Sequence, residues 1–175
     1  MKKNYILAVI TILFFNACTS APEKKSTLNE SGIENLETSP FTDTVKLDTF
    51  KVLLQGEKAK ESTLVFRIIS FEGKEIYQAQ ISGHELTKEN TKLKTETDKM
   101  KFLKNEVKYF FEDEHFLWPA VMPNEQPDKN VPDTTFYQEL KESQLNGFNY
   151  RLGVESKVYI AWSAKDKKVK VYYKI

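Results

Sequence analysis

The chain predicts an α+β fold, with antiparallel sheets in the order βββ-α-α-βββ, helices on one face and a C-terminal three-stranded meander. Three observations carry this reading. Apolar and polar residues alternate at the two-residue period of a strand from Thr44 to Ile81 and again from Phe148 to Ile175. Between those stretches, from Thr97 to Phe111, the apolar spacing lengthens to that of a helix. Short turns join the strands within each group, as antiparallel neighbours require. Strands gathered in runs around a run of helices mark α+β architecture, in which the sheet is antiparallel.

The first group opens with Thr44 to Leu54, which alternates before a polar turn at Gly56. Thr63 to Phe71 is denser, β-branched and aromatic, and is apolar on both sides, as suits a central strand covered on both faces. Glu72-Gly73-Lys74 then turns the chain into Glu75 to Ile81, which closes a hairpin. His84, following Ser82-Gly83, belongs to the turn leaving that hairpin.

Met100, Leu103, Val107, Phe110 and Phe111 form one helical stripe, with Thr97 placed to cap the helix and Asp98 in its first turn. A second, shorter helix runs from Asp133 through Ser143 behind Pro132, with Phe136 and Leu140 inward. In the meander Phe148, Tyr150, Leu152 and Val154, then Val158, Ile160 and Trp162, then Val169, Val171, Tyr173 and Ile175 take the buried face. The other face is expected to be wet, and Lys170 and Lys174 guard an edge against unwanted pairing. The spacing does not distinguish one continuous sheet from two packed ones.

The domain is expected to span residues 44–175. Residues 19–43 are rich in Ser, Thr, Glu, Lys and Asn, with breakers at Pro22, Gly32 and Pro40, and read as a flexible tether. Before it stand Met1-Lys2-Lys3, an apolar run from Tyr5 to Phe15, and Asn16-Ala17-Cys18, which ends in the only cysteine of the chain. A basic start, a short apolar segment and a small residue before a cleavage point are read by the export machinery. The apolar run is far short of the roughly 20 residues that span a bilayer.

These residues resemble the lipobox signal peptides of bacterial lipoproteins. The resemblance implies a signal peptide over residues 1–17, cleavage before Cys18, a diacylglycerol thioether on its sulfur, and an acyl chain on the new amino group. More than one acyl chain gives stable anchoring, so the resemblance implies a membrane-held protein. Thr19 in the position after the cysteine tilts the analogy towards the outer membrane. The overall layout is similar to that of the small lipoproteins of Gram-negative envelopes, a likeness that carries no site.

Charge excludes one class of partner. The net charge of +1 becomes −1 without residues 1–17, which hold two lysines and no acid. A balanced surface lacks the basic footprint that nucleic acid requires. No internal disulfide is available to the domain, so an apolar core must hold it.

No catalytic motif is present: no Gly-rich phosphate loop, no GxSxG elbow, no HExxH. No cofactor and no metal are expected. Glu112 and His115, three apart at the end of the first helix, resemble half of a carboxylate-bridged metal site, but the other half is missing and a solvated helix end is the simpler reading. The proline-stiffened stretch Phe116 to Pro132 is the more suggestive feature, because structureless loops of that length are often functional. The simplest expectation is that Trp118, Val121 and Met122 tuck over the sheet as core, leaving the polar tip from Asn124 to Asn130 to meet a partner. Candidate partner-binding residues are therefore Trp118, Met122, Asn124, Glu125 and Asp128 in the strap. To these are added Arg151, Tyr159 and Tyr172 on the wet face of the meander, where tyrosine and arginine are residue types of interface hot spots.

The function expected is that of a lipid-anchored envelope lipoprotein whose non-enzymatic domain binds an envelope protein or polymer. An inhibitor or immunity protein that plugs a lytic, lysozyme-like enzyme is the alternative. A hydrolase with carboxylates at Glu112, Asp113 and Glu114 is a third reading, and it needs a cleft with a raised carboxyl pKa.

Overall fold

The alternation from Thr44 onward becomes a strand whose inward positions are Asp48, Phe50, Val52 and Leu54, in a computed structural model that describes residues 28–29 and 32–175. Two antiparallel sheets result. The first runs in chain order through β1 (Leu28–Asn29), β2 (Gly32–Pro40), β3 (Leu47–Gln55), β4 (Thr63–Ile69) and β5 (Glu75–Ser82). The second runs through β6 (Phe116–Leu117), β7 (Gly147–Arg151), β8 (Lys157–Ser163) and β9 (Lys168–Lys174). Between the two sheets in chain order come α1 (Gly83–Thr87) and α2 (Glu96–Lys108), while α3 (Thr134–Ser143) joins β6 to β7. The class is thus α+β with antiparallel sheets and a C-terminal meander.

One expectation is corrected at the start of the fold. Residues 32–40, read as tether, form β2 and pair with β3 from Ile33↔Leu54 to Pro40↔Leu47. The strand escapes a hydrophobic reading because two of its buried positions are polar, Asn35 and Ser39. Phe41 follows it into the core and meets Phe50 edge-on with ring centroids 5.4 Å apart. The first sheet therefore already takes in residues 28–29 and 32–40, ahead of residue 44.

The cap of α2 also moves. Thr95, not Thr97, accepts from Asp98 N at 3.1 Å, and Asp98 accepts from Thr95 N at 3.1 Å, a reciprocal capping box. The helix ends at Lys108, and Asp113–His115 is a separate 3₁₀ turn, so Glu112 and His115 do not share a helix face. His84 lies in α1 rather than in a plain turn.

The main core lies between the sheets. Phe50 and Phe66 from the first sheet meet Phe110, Phe111, Phe116, Phe148 and Tyr150, with centroid separations between 5.1 and 6.2 Å. Leu103 and Val107 of α2 join the same cluster. Each well-placed ring pair contributes about 0.5–1.5 kcal/mol beyond its burial, so this cluster is the principal stabilising element.

The far side of the meander is not wet. There α3 packs Phe136, Tyr137 and Leu140 against Ala161, Tyr172 and the strap residues Ala120 and Val121. Ala161, small and on the face expected to meet solvent, leaves room for the helix. The two helices consequently serve different clusters, α2 the inter-sheet core and α3 the outer one.

Candidate functional site

The strap is fastened along its length. After β6 pairs with β7 through Phe116↔Phe148 and Leu117↔Gly147, the chain passes a cis Trp118–Pro119 bond. Ala120 N donates to Leu145 O at 2.8 Å, and the Tyr172 hydroxyl donates to Ala120 O at 2.9 Å. Gly147 permits this close lie: a Cβ there would stand 2.8 Å from the Tyr172 hydroxyl oxygen and 3.0 Å from Ala120 Cβ.

Further on, Lys141 Nζ donates to Glu125 O at 2.8 Å. The Tyr173 hydroxyl donates to Asp128 Oδ2 at 2.8 Å, and Lys174 N donates to Asn130 O at 3.1 Å. A long loop is thereby converted into a fixed wall.

Between that wall and the end of the meander lies a groove of ≈ 550 Å³. The strap lends it Trp118, Pro119, Met122 and Glu125, the end of the meander lends Tyr159, Tyr172, Tyr173 and Ile175, and α3 lends Tyr137. Tyr159 meets both Tyr172 and Tyr173 edge-on, at 6.1 and 5.3 Å. Burial, and then the Glu125 carboxylate with which it hydrogen-bonds, push the Tyr137 phenol far above its ordinary value. Burial likewise raises Tyr172 and Tyr159, with neighbouring tyrosines adding to the shift. The phenols are therefore neutral at ordinary pH, and Glu125 is the carboxylate of the lining.

Five of the eight candidate binding residues come together here: Trp118, Met122, Glu125, Tyr159 and Tyr172. Their exposures correct the expectation. Trp118 and Met122, expected to tuck inward, are 58% and 51% exposed, and only Val121 is buried. Tyr172, expected to be wet, is buried, with its hydroxyl spent on the strap. Asp128 stands at the edge through Tyr173, and Asn124 is exposed on the tip. Arg151 lies elsewhere, in an ion pair with Glu106.

The sequence reading overlooked Tyr137, Tyr173 and Ile175. Strict alternation assigns Tyr172 and Tyr173 to opposite faces, but the β8–β9 register shifts between Tyr159 and Ile160, and both tyrosines line the groove. The adjacent pair Tyr172-Tyr173 in an otherwise alternating strand was the available signal.

Glu112, Asp113 and Glu114 are exposed, with Glu112 and Glu114 on the lining of a different cleft. Among the described residues no group of three or more His, Cys, Asp or Glu is placed to hold a metal ion. Among them, too, no helix is long and apolar enough to cross a membrane. Cys18 and the signal-like segment lie outside the described residues. Fold and groove together define an α+β domain with a preformed aromatic groove on one end of its second sheet. No family model, curated protein or solved structure matches the chain.

Proposed function

We propose that the chain is a lipid-anchored envelope protein, held through Cys18, whose non-enzymatic domain binds an apolar segment of a protein partner in the strap groove. The observation that carries the binding role is the exposure of Trp118, Met122 and Ile175, each more than half open to solvent around one rigid groove. Single exposed apolar side chains are ordinary, but a contiguous patch rimmed by polar groups marks an interaction surface. Rigid aromatic walls add contact area at low entropic cost on binding, which is why Trp and Tyr dominate hot spots.

The plugging inhibitor receives less support. A plug calls for a loop that projects, whereas this strap is pinned at Glu125, Asp128 and Asn130. The groove, not the tip, is the surface on offer.

The anchor is tested by mass spectrometry of Cys18 in purified membrane fractions: acylation is expected, with loss of membrane association in Cys18→Ala. The groove is tested by Trp118→Ala combined with Met122→Ala. Loss of a co-purifying partner with an unchanged melting temperature is expected; retention of that partner contradicts the assignment.

A further inference from the structure

A second cleft, of ≈ 600 Å³, opens between α2, the Asp113–His115 turn and the end of β7. Its volume is that of a small-ligand pocket. The floor is apolar, with Leu64, Ile81, Leu86 and Phe110 all buried beneath it, and Tyr109 stands at its side, 45% exposed. The two ends of the cleft differ in chemistry.

One end accepts. Asn149 Nδ2 donates to Glu114 O at 3.3 Å and to His115 O at 3.2 Å, so the atom facing His115 Nδ1 at 3.1 Å is the amide oxygen. An amide oxygen only accepts, so His115 Nδ1 carries a hydrogen, and in that tautomer Nε2 is the acceptor nitrogen. Glu114 lies beside it, 3.9 Å from Nε2, and Glu112 lines the same cleft with no cation partner among the described residues.

The other end is cationic. Arg151 and Lys157 are cross-strand partners on β7 and β8. Arg151 is engaged by Glu106, while the Lys157 side chain has no acidic partner among the described residues. Asn149, which fixes His115, and Arg151 are two residues apart on β7, a separation of about 7 Å along the strand.

We infer that this cleft binds a short peptide with both termini free. Its ammonium sits at Glu112, Glu114 and His115 Nε2, its carboxylate at Lys157, and its apolar side chains lie on the floor. An extended dipeptide spans about 7 Å from end to end, the backbone separation of Asn149 and Arg151, the β7 positions that hold His115 and pair with Lys157. A ligand with a free ammonium and a free carboxylate meets both ends at once, and a ligand with a single charge meets only one of them.

Isothermal titration calorimetry of the full chain in detergent micelles, with Leu-Leu, N-acetyl-Leu-Leu and Leu-Leu amide, tests this. Leu-Leu is expected to bind saturably, and capping either terminus to weaken it by about tenfold, the loss of one charge-assisted hydrogen bond. Glu112→Gln with Glu114→Gln is expected to weaken Leu-Leu without changing N-acetyl-Leu-Leu; Lys157→Ala is expected to weaken Leu-Leu without changing the amide. Those three positions are solvent-accessible, so the variants retain the fold. Trp118→Ala is expected to bind Leu-Leu like the wild type. Absence of saturable heat at millimolar peptide, equal affinity for free and capped forms, or loss of binding in Trp118→Ala overturns the proposal; only the last points to the strap groove instead.

Discussion

Asn35 on β2 donates its side-chain amide to the last turn of α2, reaching Val107 O and Lys108 O at 3.0 Å each. Those carbonyls belong to the orphan acceptors of a helix C-terminus. A residue from the stretch expected to be tether thus closes the helix that packs against the inter-sheet core. Asn35→Ala removes both bonds inside a buried site and is expected to cost about 1–3 kcal/mol. Urea denaturation checks this through a lower midpoint at unchanged slope.

Asp48 is a second buried polar anchor. Its fully buried carboxylate accepts from Thr42 N at 2.6 Å, from the Thr42 hydroxyl at 2.9 Å and from Phe71 N at 2.8 Å. It therefore ties the β2–β3 connection to the β4–β5 turn. Asp48→Ala leaves two backbone donors unpaired and is expected to destabilise by about 3 kcal/mol, measured in the same denaturation assay.

What the sequence made legible, and what it hid, follows from where polar groups face inward. β3 declares itself by clean alternation around Phe50, and β4 by a dense apolar run around Phe66. β2 is hidden because its inward Asn35 and Ser39 satisfy hydrogen bonds rather than bury carbon. The strap was recognisable as unusual from its prolines, and three of its five proposed contacts, Trp118, Met122 and Glu125, meet in one groove with Tyr159 and Tyr172 of the meander. Which side Trp118 and Met122 face depends on Val121 being taken by α3, a tertiary contact that no local pattern records.

Alkaline pH is expected to weaken the fold. Burial raises the phenols of Tyr77, Tyr137, Tyr150 and Tyr172, and the first and third share a hydroxyl contact of 2.6 Å. With folded values raised, the unfolded chain releases these protons first. Their contribution is complete below the unfolded value of about 10 and is lost as pH rises beyond it. Urea midpoints taken from pH 8 upward are expected to stay level and then fall. Ultraviolet titration is expected to show these tyrosines ionising only as the protein unfolds.

Gly147 controls the seating of the strap. A Cβ at this position meets both the Tyr172 hydroxyl and Ala120, so Gly147→Ala is expected to lift the strap and cost about 1–3 kcal/mol. Tyr172→Phe loses one hydrogen bond without a clash and is expected to cost about 1 kcal/mol. Limited proteolysis between Trp118 and Pro132 is expected to accelerate more in Gly147→Ala than in Tyr172→Phe.

Site-specific photo-crosslinking in the native envelope is the most direct measurement of the groove's role. A photoreactive residue is placed at Trp118 or Met122, with Val45 as the control, an exposed position in the β2–β3 connection of the other sheet. A single discrete crosslinked partner from positions 118 and 122, and not from 45, is the expected result. No crosslinked species from the groove positions, or the same species from all three, contradicts it.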